Sequence, residues 1–187
     1  MAEVIANMSM SLDGFIEDSR GGVAEVFAWT SRGEVAFTMP GDDREFRTAP
    51  ASADYLRDSV TGTGALVCGR RLFDLAHGWG GHHPVGCPVF VVTHQAPADW
   101  SHPDAPFTFV TDGVASAIAQ AKAVAGERTV AVASADVARQ ALDLGLLDAV
   151  AVDLVPVLLG SGTPFISSGV LFGDGVTHLH YRVRREG

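Results

Sequence analysis

Three short stretches of the chain place glycine, arginine or hydroxyl side chains directly after an apolar run. If these runs are parallel strands, the stretches lie together at the carboxyl edge of a sheet, where open α/β sheets bind ligands. A glycine lets the backbone approach a ligand, and an arginine side chain forms paired hydrogen bonds with phosphate. The stretches are Gly69, Arg70 and Arg71, then Thr93 and His94, then Ala133, Ser134 and Ala135. The pattern is compatible with phosphate binding, and also with a surface turn of solvated arginines and a serine that caps a helix.

Two aspartates stand where a carboxylate could handle a proton. Asp13 precedes the turn residue Gly14, and Asp54 lies at the start of a predicted helix. Each could hold or orient a substrate proton, or could cap a turn or face solvent. The sequence shows no Ser/His/Asp arrangement, P-loop or G-x-G-x-x-G segment, so several common enzyme classes are not indicated.

Imidazole and thiol side chains are concentrated between residues 77 and 87. His77, His82, His83 and Cys87 are of the types that zinc prefers as ligands. Their spacing matches no compact metal-binding motif, and the glycines between them favour an exposed loop. We therefore predict no metal site.

Composition limits the class of protein and its partners. The chain has 187 residues, 47% hydrophobic and 19% charged, which is typical of one compact globular domain. A net charge of −9 disfavours nucleic acid as a partner. Two cysteines are too few for a secreted disulfide framework, and the first residues lack the pattern of a signal peptide. No run approaches the ~20 apolar residues that cross a bilayer, so we predict a cytoplasmic protein without membrane contact.

Strands and helices alternate along most of the chain. Short apolar runs predict strands at residues 4–10, 65–68, 88–93, 107–110, 129–133 and 149–159. Helices are predicted at residues 51–60, 71–77 and 135–144, and between residues 112 and 126 with Val114, Ile118, Ala121 and Val124 on one side. This alternation predicts an α/β fold with a mostly parallel central sheet covered on both faces.

Two regions depart from the alternation. Residues 17–50 are rich in glycine, proline and aspartate and indicate a long irregular layer anchored by aromatic side chains. Residues 165–166 and 176–183 have no helix between them, so we predict an antiparallel C-terminal hairpin.

Taken in order, several segments resemble those of the family that includes the reductase domain of the bifunctional riboflavin-biosynthesis deaminase/reductase. The segments are SLDGFI at residues 11–16, GRRLF at 69–73, PVFVVTH at 88–94, ALDLGLLD at 141–148 and VPVLLGSG at 155–162. Together they span almost the whole chain, and the last is the most specific. The resemblance implies one domain over residues 1–187 with a dihydrofolate-reductase-like three-layer fold, usually in a homodimer.

The same resemblance implies an NADPH site. The residues that would hold the adenosine 2′-phosphate are Gly69, Arg70, Arg71 and Thr93. The residues that would border the nicotinamide are Ala6, Ser11, Asp13 and Gly14. The pyrophosphate would rest on the loop formed by Ala133, Ser134 and Ala135. Asp54 would be the catalytic carboxylate, by correspondence with dihydrofolate reductases, and Asp13 the second candidate.

The chain departs from the family pattern at three places. Ala133 and Ser134 replace a pair of glycines, Leu72 stands where a threonine is common, and Ala149 stands where a second acid is common. A side chain at a backbone-contact position can collide with phosphate or demand a φ that glycine adopts most easily. Two functions follow as alternatives. One is an NADPH-dependent reductase of a small heteroaromatic or ribosylamino-pyrimidine or pterin-like substrate, and the other is a non-catalytic dimer of the same fold.

Overall fold

The structure, a computed structural model, describes residues 2–165 and places ten strands and five α-helices among them. The strands are β1 (Val4–Ser11), β2 (Phe15–Asp18), β3 (Val35–Met39), β4 (Asp42–Thr48), β5 (Thr63–Gly69), β6 (Val89–Val92), β7 (Phe107–Val110), β8 (Thr129–Val132), β9 (Ala149–Val155) and β10 (Gly162–Pro164). The helices are α1 (Ala24–Phe27), α2 (Pro50–Gly62), α3 (Arg70–Leu75), α4 (Val114–Ala125) and α5 (Ala135–Asp143). The predicted alternation of helix and strand after residue 50 is therefore confirmed, with bounds that shift by a few residues.

Six strands form one parallel sheet, in the order β7-β6-β5-β8-β1-β9. β5 lies inside this sheet, and all of its residues except the last are buried. A strand buried on both faces is expected to be a continuous apolar run, as residues 65–68 are. The arrangement confirms the predicted α/β class with a mostly parallel central sheet.

Alternate residues of β5 belong to two hydrophobic clusters, one on each face of the sheet. Ala65 and Val67 pack in the cluster that contains the buried sides of α4 and α5. Leu66 and Cys68 pack in the other cluster, which contains Phe73 of α3. Full burial of each large aliphatic side chain contributes about 1.5–3 kcal/mol, so both clusters hold helices against the strands. The result is the predicted three-layer arrangement of helix, sheet and helix.

The contact between β5 and α4 depends on a glycine. A Cβ at Gly64 would lie 2.8 Å from the Cα of Ala125, at the end of α4. The helix therefore packs directly on the strand backbone, as is typical of a glycine inside a strand. Of the residues that we predicted on one side of this helix, Val114, Ile118 and Ala121 are buried, whereas Val124 is 51% exposed.

Residues 17–50 hold regular structure, so the prediction of an irregular layer is wrong. β3 and β4 form an antiparallel hairpin in which Phe37 pairs with Phe46, with ring centroids 5.6 Å apart. Val35, Phe37 and Met39 are half-buried, and the residues between them are exposed. This period of two is the signal of a strand. The short β2 pairs antiparallel with β10 and so ties this region to the end of the described chain.

The predicted hairpin strand at residues 176–183 lies outside the described residues. Phe165, the last described residue, is buried in the cluster that contains α4 and α5. Within residues 2–165, no helix combines the length and the apolar character that crossing a membrane requires.

Candidate functional site

β8 ends earlier than β1 and thereby opens a cleft in the sheet. The register pairs Val132, the last residue of β8, with Ala6 of β1 on one side and with Val67 of β5 on the other. β1 continues for five more residues, to Ser11, and in the described part of the chain these pair only with β9. The backbone of β1 beyond Ala6 is thus open on the β8 side, at the carboxyl edge where parallel sheets bind ligands. The structure places the predicted residue Ala6 at the base of this cleft.

A hydrogen bond joins the two loops that border the cleft. The backbone N–H of Gly69 donates to Oγ of Ser134 at 2.9 Å, and the N–H of Ala133 donates to the carbonyl of Val67 at 2.9 Å. Ser134 makes no side-chain bond to its own helix, although it occupies the N-cap position of α5. Its φ of −175° is extended backbone that any residue adopts, so the site imposes no requirement for glycine there. The alternative that Ser134 caps its helix is wrong, because its hydroxyl bonds to the neighbouring loop.

Arg70 and Thr93 meet at one backbone carbonyl. Nη1 of Arg70 donates to the carbonyl oxygen of Gln95 at 3.0 Å, and the hydroxyl of Thr93 donates to the same oxygen at 2.8 Å. Nε of Arg70 also pairs with Asp74, one helical turn further along α3, at 2.7 Å. These two predicted phosphate residues, which directly follow the neighbouring strands β5 and β6, are therefore brought together, with the Arg70 side chain partly exposed.

Arg71 points in another direction. Nη1 of Arg71 forms an ion pair with Glu17 of β2, and the hydroxyl of Thr163 in β10 donates to the same carboxylate oxygen. The Glu17 side chain is only 7% exposed, whereas the Arg71 side chain is 63% exposed. Arg71 thus connects the start of α3 to the β2–β10 pair, and its charge is already matched by a buried carboxylate.

The residues after β1 form a turn that Asp13 ties to a second loop. Ser11 donates from its hydroxyl to Asp13 at 2.6 Å, and the backbone N–H groups of Leu159 and Gly160 donate to the same carboxylate at 3.1 and 2.7 Å. These hydrogen bonds, chiefly the one from Ser11, lower the pKa of Asp13. The predicted nicotinamide residues Ser11 and Gly14 lie in this turn, where Gly14 has a φ of +91° that favours glycine. Asp13 therefore acts in the structure as an ionised anchor for the loop after β9.

Asp54 lies apart from the other predicted residues. Its side chain is 76% exposed and pairs with Arg57, three residues further along α2, at 2.6 Å. No hydrogen bond in the described part of the chain links it to the loops around the cleft. The structure therefore does not place Asp54 with the residues that it was predicted to assist.

A polar cluster that we did not predict lies around Tyr55, the residue that follows Asp54 on α2. Tyr55 accepts a hydrogen bond from Nδ2 of Asn7 at 3.3 Å, and its phenol lies close enough to Asp153 in β9 for each group to shift the pKa of the other. The register pairs Asp153 with Ser9 of β1, whose hydroxyl accepts a hydrogen bond from Nε1 of Trp29 at 3.1 Å. Burial raises the pKa of Asp153, and the nearby Tyr55 hydroxyl partly offsets that effect. The sequence signal was an aspartate within an otherwise apolar strand, where carboxylates are rarely placed.

The histidine-rich segment does not form a metal centre in the described chain. Among residues 2–165, no three histidine, cysteine, aspartate or glutamate side chains are grouped closely enough to hold a metal ion. Burial lowers the pKa of His83 to about 4 and raises that of Cys87 to about 11. His77 and Trp79 have positive φ and form a left-handed turn next to an aromatic cluster. Trp79, His83 and Cys87 are part of the packing beneath β6 and β7, whereas His77 and His82 are exposed.

A comparison with protein families places the chain. Residues 2–181 match the model described as the RibD C-terminal domain. The chain belongs to this family. The predicted family resemblance is thereby confirmed. Membership of the RibD C-terminal domain family supports an oxidoreductase activity for this chain.

Solved structures agree with this fold. A protein assigned to riboflavin biosynthesis from Shewanella sp. PV-4 is 21% identical, with 92% of this chain and 89% of that chain covered and a TM-score of 0.66. A diaminohydroxyphosphoribosylaminopyrimidine deaminase/5-amino-6-(5-phosphoribosylamino)uracil reductase from Thermotoga maritima is 15% identical, with 94% and 50% covered and a TM-score of 0.55. The chain thus spans about half the length of the Thermotoga maritima enzyme. A search of curated proteins by sequence found no significant match.

Proposed function

We propose that the chain is an NADPH-dependent reductase of a small heteroaromatic substrate, in the class of ribosylamino-pyrimidines or pterin-like compounds. The observation that carries the proposal is that Arg70 and Thr93 meet at the carbonyl of Gln95 while Ser134 bonds to Gly69, next to Arg70, at the carboxyl ends of neighbouring strands. The substrate class is supported by the family and by the Thermotoga maritima enzyme of the same fold, whose description names a phosphoribosylaminouracil.

The residues at the cleft fit a dinucleotide with a 2′-phosphate. Neither α3 nor α5 has a side-chain cap, so the N–H groups of their first turns are available to phosphate oxygens. The extended backbone at Ser134 allows a phosphate to approach without strain. Asp136 carries a negative charge in the first turn of α5, but it is paired with Arg139 at 3.0 Å. The fit therefore depends on Arg70 as the cation of the site, since its pair with Asp74 is exposed to solvent and so contributes little.

The roles of the chain's own residues follow from this placement. Arg70 and Thr93 would hold the 2′-phosphate, and the first turn of α5 would hold the pyrophosphate. The open backbone of β1 beyond Ala6 would orient the nicotinamide ring, and Asp13 would keep the loop after β9 over it. NADPH, when bound, supplies a hydride to the substrate. The protein contributes binding, orientation and exclusion of water.

Titration calorimetry with NADPH and NADH tests the proposal. Wild type is expected to bind NADPH more tightly than NADH. Arg70→Ala should weaken NADPH binding about ten- to a hundredfold and leave NADH binding unchanged, because it removes a charge-assisted contact with the extra phosphate. Arg57→Ala is the matched control, since Arg57 also pairs with an aspartate on its own helix but lies on the exposed face of α2. Equal affinities for the two nucleotides, unchanged by Arg70→Ala, would contradict the site.

A non-catalytic dimer of the same fold is the second candidate. The observation in its favour is that Ser134 already occupies the N–H of Gly69, and Glu17 already occupies Arg71. Absence of NADPH binding at millimolar concentration would favour this alternative. We propose a homodimer in the cytoplasm for either function, and light scattering that gives the 19.6 kDa of one chain would contradict the dimer.

A further inference from the structure

An ion pair connects the two sides of the cleft. Arg71 lies in α3, directly after β5, and Glu17 lies in β2, which follows β1. β5 and β1 flank β8 in the sheet, so these two strands are about 10 Å apart where β8 ends. Arg70 reaches the other way, to the carbonyl of Gln95 after β6. The Arg71–Glu17 pair therefore crosses the gap that the short β8 leaves between β5 and β1.

The strand that carries Glu17 is otherwise attached to one side of the cleft only. β2 pairs antiparallel with β10, and the N–H of Phe165 donates to the carbonyl of Gly14, just before β2, at 3.0 Å. In the described chain, the hydrogen bond from Arg71 is the only one that joins residues 15–22 to the β5 side of the cleft. Loss of this ion pair would therefore leave β2 unconnected to the β5 side by any hydrogen bond of the described residues.

The two members of the ion pair differ in how freely they can move. The Glu17 side chain is buried, and the Thr163 hydroxyl donates to the same carboxylate oxygen that Arg71 contacts. The Arg71 side chain is mostly exposed, and its Nη2 lies against the turn at Gly21, where an added Cβ would be 3.6 Å away. Exposed side chains change rotamer within picoseconds to nanoseconds. Arg71 can therefore leave the pair while Glu17 stays in place.

A bound dinucleotide and the ion pair need the same space. A nucleotide that extends from Arg70 to β1 has to cross the gap at the end of β8, which the Arg71–Glu17 pair already crosses. The hydrogen bond from Gly69 to Ser134 narrows this gap further on the β5 side. Arg71 therefore has to leave Glu17 before a phosphate chain can enter.

We infer that the Arg71–Glu17 ion pair is a clasp, which closes the nucleotide cleft in the free protein and opens when a nucleotide enters. This inference rests on the proposed function, since it takes the cleft beside β1 to be the nucleotide site. The two residues set the fraction of molecules that is open to the ligand, without contact with the reacting atoms. The apparent affinity of wild type is then its intrinsic affinity multiplied by that fraction.

Calorimetric titration of NADPH and NADH into wild type, Glu17→Gln and Arg71→Ala tests the clasp. Each substitution removes the ion pair, so both variants are expected to bind both nucleotides about three- to tenfold more tightly than wild type. Charge alone predicts opposite signs, because Glu17→Gln removes a negative charge near an anionic ligand and Arg71→Ala removes a positive one. The gain should therefore be smaller in Arg71→Ala, but it should still be a gain.

Glu45→Gln is the matched control for the change in net charge. Glu45 also pairs with an arginine, Arg47, but both side chains are exposed and lie on the β3–β4 hairpin. This variant should bind both nucleotides as wild type does. If either Glu17→Gln or Arg71→Ala binds the nucleotides no more tightly than wild type, or if Glu45→Gln gains as much as they do, the clasp is wrong.

Hydrogen–deuterium exchange of free Glu17→Gln tests the clasp without a nucleotide. The backbone amides of residues 15–22 should exchange faster than in wild type, because β2 is no longer held to the β5 side of the cleft. The amides of α4, which packs on the other end of β5 at Gly64, report any loss of global stability. An increase in residues 15–22 that is no larger than the increase in α4 would overturn the clasp.

The two measurements distinguish failure of the clasp from failure of the proposed function. If wild type prefers NADPH and both clasp variants bind more tightly, both proposals are supported. If wild type prefers NADPH but neither variant gains affinity, the cofactor site stands and the clasp is wrong. If no variant binds a nucleotide, the reductase proposal fails, and the exchange of residues 15–22 alone decides whether the ion pair holds the cleft closed.

Discussion

Replacing Arg71 by alanine is expected to destabilise the protein, because it leaves the Glu17 carboxylate buried without its cation. In the native structure Arg71 and the Thr163 hydroxyl share one oxygen of that carboxylate. The Glu17 side chain is 7% exposed, and the Arg71 side chain is 63% exposed. The two members of the pair therefore differ in what each loses when the other is removed.

The magnitude follows from this asymmetry. Breaking a fully buried ion pair costs about 3–5 kcal/mol, whereas an exposed pair contributes about 0–1 kcal/mol. Because only Glu17 is buried, we expect Arg71→Ala to lower the free energy of unfolding by about 2 kcal/mol. Glu17→Gln should cost less than about 1 kcal/mol, since the exposed guanidinium is left solvated and the amide oxygen still accepts from Thr163.

Urea unfolding of wild type, both single variants and the double variant, at one protein concentration, measures these costs. The double variant is expected to be more stable than Arg71→Ala alone, because it no longer buries an unpaired charge. A larger cost for Glu17→Gln than for Arg71→Ala, or two costs that simply add, would refute the reasoning. The predicted contact of Arg71 with the 2′-phosphate has another signature, which is a selective loss of NADPH affinity in Arg71→Ala.

Three further changes test other parts of the structure. Gly41→Ala should destabilise the protein by about 1–3 kcal/mol in urea unfolding, since its Cβ would lie 2.1 Å from a backbone oxygen of the facing loop, whereas Gly62→Ala, with no atom within 4 Å, should not. Ser134→Ala should cost about 1 kcal/mol in the same assay by leaving the Gly69 N–H without its partner, and unchanged stability would show that the bond contributes nothing. Burial raises the folded-state pKa of Asp153 above its ordinary 3.8. The free energy of unfolding of wild type should therefore fall as pH rises from 3.8 to this raised pKa. Asp153→Asn should therefore be the more stable protein at neutral pH and lose this advantage near pH 3.8, which thermal unfolding across pH can measure.

The parallel sheet could be predicted from the sequence because each strand is a short apolar run bounded by a helix pattern. Residues 107–110 match β7 without any shift, and the buried run 65–68 lies inside β5. The hairpin of β3 and β4 was missed because its charged strand, Asp42–Thr48, has few apolar residues to show a period. Its partner strand β3 shows the period of two over only five residues, and Pro40 and Gly41, which follow it, are typical of a loop.

The candidate site shows a corresponding division. Loops that follow strands could be predicted, since parallel strands end at one edge. Arg70 and Thr93 meet there at the carbonyl of Gln95, and Ser134 bonds to Gly69. The direction of a side chain could not, because it depends on neighbours that are far away in sequence. Arg70 and Arg71 are adjacent in the chain, yet one reaches the carbonyl of Gln95 and the other reaches Glu17.

The two carboxylates on the α2 side make the same point more strongly. Asp54 has the expected position in the sequence, but a helix turns by about 100° per residue, so its neighbour Tyr55 faces the sheet instead. Asp153 lies about a hundred residues away, and only the register that pairs it with Ser9 brings it beside β1. The half-buried carboxylate on this side of the sheet therefore comes from β9, where the pattern of the sequence pointed to α2. Of the two side chains, Asp153 loses water on folding, whereas Asp54 remains 76% exposed beside Arg57.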